Sequence, residues 1–403
     1  MAGHTFITRV ALWNYKSIAI CDVPLRSLTF LVGLNGSGKS NFLDSLRFVA
    51  DGLRTSLDHA LRERGGIKNV RRRSRGHPNH FGMRLDFRLP QGVEGSYSFR
   101  VGAQPSGGYV VQDEVCQLHG TQVGSKHSFR VRDGEVVQST GSVMPPASPD
   151  RLYLVNASGL PEFRPIYDAL SHMGFYSLNP DRIRDLQTPD AGDLLARDGS
   201  NIASVLALMS KRNPKNKRRI EEYLSKVVRG VQHVDAQAFG HKETLEFRQR
   251  VVGSEDPWRF PAANMSDGTL RSLGVLVSLF QSSNGDSPPV PLVGIEEPEV
   301  ALHPAAARVL LDSILDASDR SQVIVTSHSP DLLDHKDLPI ESILAVVAEE
   351  GETKIAHLDE AGRAALREHL YTAGELLRMN QLQPDRDEIS KQQPKLFDDA
   401  TPE

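Results

Sequence analysis

Short apolar runs dominate the first part of the chain and predict β-strands. Segments 5–15 and 18–23 lead into segment 27–32 (SLTFLV), which is typical of a short buried strand. Segments 83–89 and 97–101 alternate apolar with polar side chains, and further short strands are predicted near 109–112, 115–118 and 128–131. Such alternation predicts an antiparallel sheet with one face in water.

The pattern changes to helical spacing in two places. Directly after the buried strand, segment 41–50 has an apolar face made by Phe42, Leu46 and Val49. Much later, residues spaced for one helix face are Ile220, Tyr223, Leu224, Val227 and Val228. The linker-like segment 141–150 and the polar end of the chain then suggest four parts. We expect an N-terminal lobe (1–145), a helical insertion or lid (146–245), a C-terminal lobe (246–384) and a disordered tail (385–403).

A glycine-rich loop separates the buried strand from the first helix. Segment 33–40 (GLNGSGKS) fits G-x-x-x-x-G-K-[ST], and its strand–loop–helix context is the one that this phosphate-binding motif requires. Glycines let the backbone approach a phosphate closely, and the amides of the following helix N-terminus favour an anion. Lys39 adds a charge for the β- and γ-phosphates, and the Ser40 hydroxyl suits Mg²⁺.

A pair of carboxylates follows another apolar strand. In segment 291–299 (PLVGIEEPE), Glu296 stands where an acid would reach Mg²⁺, directly or through water. Glu297 stands where a base would orient or deprotonate an attacking water. An acidic surface turn is the alternative, but it does not explain why the acids come directly after a buried strand.

Two further motifs complete the pattern. Segment 324–330 (IVTSHSP) is a strand that ends in His328, whose imidazole could hydrogen-bond a γ-phosphate. Segment 264–270 (NMSDGTL) precedes an apolar helix, and Ser266 is either a simple N-cap or part of a second anion site with the Gly268 amide. Because Lys39 has its own cradle, a second anion site would serve the nucleotide of another subunit.

The order of these four motifs resembles ABC-type ATPase heads, and most closely the RecF, SMC and OLD branch. MSDGT stands at the place of the transporter signature LSGGQ, IEEPEVALHP resembles a Walker B segment with its D-loop, and TSHSPDLL resembles a switch-histidine segment. NYKSI (14–18) and TAGELLRMNQL (372–382) are similar to the start and end of bacterial predicted AAA/ABC ATPases. The resemblance implies an α/β P-loop NTPase head of ABC type, with a mixed central sheet, an antiparallel β subdomain and a helical insertion.

The resemblance also implies ATP and Mg²⁺ as cofactors and a role for each motif residue. The expected ATP-binding residues are Asn35, Gly36, Ser37, Gly38, Lys39, Ser40 and Asn41. Ser40 and Glu296 would hold the metal, Glu297 would be the catalytic base, and His328 would contact the γ-phosphate. The signature residues that would engage ATP held by a second copy are Ser266, Asp267 and Gly268. Lys16 is expected near the nucleotide, and the D-loop at the dimer interface would be Ala301, Leu302 and His303.

Two residues depart from the family pattern. Glu296 replaces the usual aspartate, and Asp267 replaces a glycine and so brings a carboxylate to an anion site. For the glutamine of the Q-loop, Gln112 is the only candidate that we can name.

Composition limits the classes of partner. The net charge of −4 gives no overall attraction to nucleic acid, so any DNA contact depends on the basic segments 62–75 and 211–219, which are otherwise solvated surface. The two cysteines, Cys21 and Cys116, lack metal-ligand spacing and fit a reducing compartment. The sequence has neither a signal-peptide pattern nor an apolar run of about 20 residues, so we expect a cytoplasmic protein without a membrane segment.

These motifs favour an ATP-hydrolysing switch that forms a homodimer around two ATP molecules. The resemblance suggests that it controls a separately encoded nuclease or effector in DNA repair or anti-phage defence, with DNA as a further partner. Three alternatives remain open. They are a nucleotide-dependent scaffold with little turnover, the nucleotide-binding subunit of a transporter, and a small-molecule P-loop kinase.

Overall fold

The computed structural model describes residues 5–74, 76, 78–90, 92–120, 126–141, 143–281, 290–335, 338–393 and 395–397. The strands in chain order are β1 (Ile7–Tyr15), β2 (Ile18–Pro24), β3 (Leu28–Val32), β4 (His80–Arg88), β5 (Glu94–Ala103), β6 (Tyr109–His119), β7 (Lys126–Arg132), β8 (Glu135–Ser139), β9 (Gly174–Tyr176), β10 (Val231–Phe239), β11 (Lys242–Gln249), β12 (Trp258–Pro261), β13 (Leu292–Glu296), β14 (Gln322–Ser327), β15 (Ile343–Glu349) and β16 (Glu352–His357).

The helices in chain order are α1 (Lys39–Arg54), α2 (Leu57–Arg62), α3 (Ile67–Val70), α4 (Leu154–Ala157), α5 (Arg164–Ser171), α6 (Pro180–Arg184), α7 (Ile202–Arg212), α8 (Pro214–Val227), α9 (Asp267–Phe280), α10 (Pro304–Ser318), α11 (Pro330–Leu333), α12 (Glu360–Arg367), α13 (Ala373–Arg378) and α14 (Arg386–Lys391). Single 3₁₀ turns lie at Ala262–Asn264 and Ile340–Ser342. Among the described residues, no helix is long and apolar enough to span a bilayer.

A mixed sheet, here called the central sheet, carries the site. Its strand order is β16-β15-β3-β14-β13-β9, and all its neighbours are parallel except the β15–β16 pair. On β3, Leu31 packs into one apolar core while Phe30 and Val32 pack into another on the opposite face. Both faces are therefore covered, which is why these strands are continuous apolar runs.

The N-terminal strands form a second, fully antiparallel sheet in the order β2-β1-β4-β5-β6-β7-β8. It shares one apolar core with α1, in which Phe48 packs edge-on against Phe81 at a ring-centroid distance of 5.4 Å. The prediction of separate strands at 109–112 and 115–118 was wrong, because β6 runs unbroken from Tyr109 to His119. Buried Asp113 and Glu114 bridge the two predicted strands, and each finds polar partners inside the fold.

The sequence predicted a helical insertion at 146–245, but this segment is not purely helical. It contains α4 to α8, but β9 is a parallel strand of the central sheet, and β10 and β11 form a small antiparallel sheet with β12. The strand β9 was missed because it is only three residues long, too short for any periodicity. The proposed domain boundaries themselves stay a prediction.

The expectation of a disordered tail was wrong for its first part. The Asp385 carboxylate accepts hydrogen bonds from the backbone of Asp387 and Glu388 and so caps α14. Glu388 in turn meets the ring of His357 on β16 at 3.0 Å. Residues 398–403 lie outside the described ranges.

Candidate active site

Three central strands end side by side at one edge of the sheet, and each is followed by a predicted motif. β14 lies between β3 and β13, with Ser327 opposite Val32 and Thr326 opposite Glu296. The glycine-rich loop, His328 and Glu297 therefore emerge next to one another. The carboxyl edge of parallel strands is where ligands bind in open α/β sheets.

The glycine-rich loop has the backbone that its sequence predicts. Gly36 and Gly38 have φ values of 78° and 103°, a region that favours glycine. Lys39 as a whole residue is 4% exposed, and its ammonium donates to the carbonyls of Gly33 at 2.8 Å and Leu34 at 2.9 Å. Burial lowers the pKa of Lys39, and the more distant Glu297 and Glu299 partly oppose that effect. Lys39 is thus a desolvated cation with neutral hydrogen-bond partners.

A cluster of hydroxyl groups supports the loop from below. Thr353 on β16 donates to the carbonyl of Ser37 at 2.9 Å and contacts the Ser17 hydroxyl at 2.7 Å. Asn41 on α1 donates to the same Ser17 oxygen at 2.7 Å. A Cβ on Gly38 would lie 2.0 Å from the Thr353 hydroxyl, so this glycine lets the strand approach the loop. Sequence reasoning missed Thr353, since it lies more than 300 positions from the loop.

The catalytic pair predicted from the sequence is in direct contact. The Glu297 Oε1 atom lies 3.0 Å from His328 Nδ1, and both side chains are about one third exposed. Glu297 has a φ of 43°, and its amide donates to the Thr326 carbonyl at 3.0 Å. The left-handed turn re-aims the carboxylate after the strand has ended, so that Glu296 and Glu297 are no longer held on opposite faces.

A third acid of the same segment, Glu299, was not assigned a role from the sequence. It is 8% exposed and accepts a hydrogen bond from the Ser327 hydroxyl at 2.6 Å, while its Oε2 atom is buried without a partner among the described residues. Burial raises the pKa of Glu299. The sequence gave no reason to assign Glu299 to the site, because Pro298 interrupts the strand pattern between Glu297 and Glu299.

Glu296, the expected metal ligand, carries an arginine partner. Arg197 Nη2 donates to Glu296 Oε1 at 2.9 Å from the segment between β9 and α7. The other predicted metal ligand, Ser40, is exposed on the first turn of α1. Within the described ranges there is no cluster of three or more His, Cys, Asp or Glu residues able to hold a metal ion.

The signature segment begins α9. Ser266 caps the helix, with its hydroxyl accepting from the Thr269 amide at 3.3 Å. Asp267 pairs with Arg184, whose Nη2 donates to Asp267 Oδ1 at 2.5 Å. Among the residues that the structure describes, no hydrogen bond joins this segment to the glycine-rich loop.

The expected D-loop meets the signature within the same chain. A Cβ on Gly268 would lie 2.8 Å from the Ala301 carbonyl, so this glycine permits the contact. Ala301 itself has a φ of 66°. Leu302 packs at the edge of the core beside these residues.

Two other expectations concern single residues. Lys16 pairs with Asp44 on α1 at 2.6 Å, beside the hydroxyl cluster under the loop. Gln112 lies on β6 of the antiparallel sheet with its amide against Gly102, and its role as the Q-loop glutamine stays a prediction.

The basic segment 62–75 is partly engaged inside the fold, while Arg62, Lys68 and Arg73 are exposed. Arg64 has a side chain that is 2% exposed and pairs with Asp44 at 2.9 Å and Asp51 at 3.0 Å. Arg72 lies 3.4 Å from Glu352, and Arg75 lies outside the described residues. Arg64 is therefore not available to contact DNA, because its side chain is buried and its charge is paired with Asp44 and Asp51.

The loop and its neighbours fit a nucleotide and its metal. Among the described residues, the Lys39 ammonium is bonded to two carbonyl oxygens and forms no ion pair, and an anion in the loop would supply one. Mg²⁺ commonly uses one or two protein oxygens plus nucleotide phosphates, which matches a site with Ser40 and Glu296 and no larger acidic cluster.

A pocket of about 320 Å³ borders the loop on the side of β15. Its lining includes Gly33, Leu34 and Ser37 of the loop, Val347 of β15 and Asn380 after α13. Glu297 and His328 follow β13 and β14, on the other side of β3 in the strand order. The pocket and this pair therefore flank the glycine-rich loop from two sides.

Comparisons with known proteins agree with this arrangement. A family model described as "AAA domain, putative AbiEii toxin, Type IV TA system" matches residues 28–114 and 146–334. No curated protein matches the chain.

The chain is similar to a solved SMC head bound to the C-winged helix domain of ScpA, with a TM-score of 0.55 and 17% identity over 89% of this chain and 100% of that one. A second similar structure is an SMC head with an extended coiled coil bound to the C-terminal domain of ScpA from Pyrococcus furiosus (TM-score 0.49, 15% identity, 91% of this chain, 99% of that one). The first likeness confirms the predicted α/β head fold.

Proposed function

This chain belongs to the AAA domain family described as putative AbiEii toxin of a type IV TA system, and we propose that it is an ATP-hydrolysing switch. Two copies would close around two ATP molecules, and hydrolysis would reopen them. The observation that carries the proposal is the convergence of a desolvated Lys39 and the Glu297–His328 pair at one edge of the central sheet.

In this proposal, the residues of one chain bind the phosphates and activate the attacking water. The loop amides and Lys39 would bind the phosphates, and bound Mg²⁺ would neutralise charge on them, with Ser40 and Glu296 as its protein oxygens. Glu297 would accept the proton of the attacking water, and the 3.0 Å contact with His328 holds that carboxylate in place. His328 would contact the γ-phosphate through Nε2, which can donate to a phosphate oxygen when both ring nitrogens carry a hydrogen.

The signature segment supports a site that is completed by a second copy. Ser266 and the amide of Gly268 lie at the N-terminus of α9, a 14-residue helix whose dipole favours an anion there. In its own chain this N-terminus is not bonded to the loop within the described ranges. A trans nucleotide would therefore be the anion that it meets, with Asp267 at the edge of the contact.

A nucleic-acid partner is supported by exposed cations around the start of α8. Lys211 on α7 and Lys215 and Arg218 on α8 are exposed and have no acidic partner among the residues that the structure describes, whereas Lys217 is paired with Glu221. Such cations suit a phosphate backbone. The protein would control a separately encoded effector that acts in DNA processing or defence. The family description as a putative toxin of a type IV TA system supports such a partner.

Phosphate release from ATP·Mg²⁺ tests the enzymatic part. We expect wild type to release phosphate and Glu297→Gln to be slower by about 10² to 10⁴, the usual contribution of a general base. Glu94→Gln, on an exposed ion pair of β5, is the matched control and should behave as wild type. ATP binding without any release by wild type would refute hydrolysis and favour a nucleotide-dependent scaffold. Transfer of the phosphoryl group to an added acceptor would instead identify a kinase.

A further inference from the structure

The carboxylate of Asp267 poses an electrostatic problem for the proposed trans site. It belongs to the first turn of α9, between Ser266 and Gly268, where a triphosphate of a second copy would approach. An uncompensated carboxylate there would repel that triphosphate and would also occupy the positive end of the helix dipole.

We propose that Arg184 is a positioning residue that neutralises Asp267 and holds it aside, so that this variant signature can accept the triphosphate of a second copy of the chain. The inference rests on the proposed function. Arg184 Nη2 donates to Asp267 Oδ1 at 2.5 Å and to the Met265 carbonyl at 3.3 Å. The same guanidinium spans both sides of Ser266 and so fixes the course of the backbone through the signature.

The arginine is held in place by built contacts. It ends α6, whose start is capped by Asn179 through the Asp181 amide at 2.9 Å. Its neighbour Ile183 is fully buried, and a Cβ on Gly274 of α9 would come within 3.1 Å of it. A Cβ on Gly199 would lie 2.7 Å from Ile183 on another side. These two glycines let α6 pack directly on α9, which delivers Arg184 to the signature.

A purely structural role for the pair is a weak alternative. The Arg184 and Asp267 side chains are 27% and 62% exposed, and ion pairs with that much solvent contribute little to folding. Arg184 Nη1 also meets Asp181 at 2.6 Å, so the cluster is arranged around one cation. A substitution that removes the arginine should therefore change nucleotide-dependent closure and leave the melting temperature nearly unchanged.

The test measures ATP-dependent dimerisation by solution mass in a Glu297→Gln background, with Mg²⁺ and increasing ATP. In that background Arg184→Ala should need at least roughly tenfold more ATP for half-maximal dimer, and the defect should shrink at high salt because exposed charges are screened. Arg182→Ala is the matched control, since Arg182 lies on the same helix and its one ion pair among the described residues is with Asp198, at 3.9 Å. It should dimerise as the parent does.

A double variant separates neutralisation from direct contact. Arg184→Ala combined with Asp267→Gly should regain the ATP requirement of the parent, because the charge that needed neutralising is gone. If the double variant stays defective, or if Arg184→Ala alone equals the parent, the inference is overturned. If the Glu297→Gln parent itself never dimerises with ATP, the proposed function fails first, and this inference fails with it.

Discussion

The buried carboxyl group of Glu114 gives the fold a pH dependence that can be calculated. Glu114 is 0% exposed, and burial raises its pKa to about 7 although Tyr97, Tyr153 and Leu154 all donate hydrogen bonds to it. A carboxyl group whose folded pKa exceeds its unfolded value stabilises the fold below the unfolded pKa, and this contribution is lost as pH rises through the folded pKa. The window here runs from about 4.5 to about 7.

The size of the effect follows from that window. At about 1.4 kcal/mol per pKa unit, the rise corresponds to about 3 kcal/mol of unfolding free energy, most of it lost between about pH 4.5 and about pH 7. Glu114→Gln removes the titration and keeps one of the two oxygens, so either the Tyr153 amide, which donates to Oε2, or the Leu154 amide, which donates to Oε1, loses its acceptor at every pH. Chemical denaturation should therefore show Glu114→Gln gaining about 2 to 3 kcal/mol relative to wild type between those pH values. Glu94→Gln is the exposed control, and parallel pH curves for wild type and Glu114→Gln would refute the reasoning.

Three further predictions concern the site. Gly38→Ala should abolish nucleotide binding, since its Cβ would lie 2.0 Å from the Thr353 hydroxyl and its φ is 103°, and adding Thr353→Ala should restore at most part of it; calorimetric titration of ATP measures both. Arg197→Ala should lower the Mg²⁺ concentration needed for half-maximal phosphate release, because Arg197 competes for Glu296. His328→Ala should slow phosphate release about tenfold or more, since His328 holds the Glu297 general base at 3.0 Å; an unchanged rate would argue against that role.

Local pattern predicted the parts of the site that are contiguous in sequence. The glycine-rich loop, the strand before Glu296 and the cap at Ser266 each depend on neighbouring residues, and each lies where its pattern placed it. The glycine-rich loop, Glu297 and His328 meet at one edge because β3, β13 and β14 are parallel and present their carboxyl ends together.

Contacts between distant segments could not be predicted in the same way. Arg184 and Arg197 come from a stretch with no motif, yet they pair with Asp267 and Glu296, the two residues that depart from the family pattern. The strand β9 is too short to show a periodicity. The sequence therefore did not predict that the stretch containing Arg184 and Arg197 lies beside the site. The basic segment 62–75 misled for a related reason, because charge in a sequence does not reveal that Arg64 is buried against Asp44.

The central claim is that ATP joins two copies of this chain through the glycine-rich loop of one and the signature of the other. The solution mass of Glu297→Gln, with and without ATP·Mg²⁺, tests it most directly. The account predicts a monomer without nucleotide and a dimer with it, and Ser266→Arg should abolish that dimer because its side chain would fill the second anion site. A mass that is the same with and without ATP, while wild type still releases phosphate, would contradict the account and leave Ser266 as a helix cap.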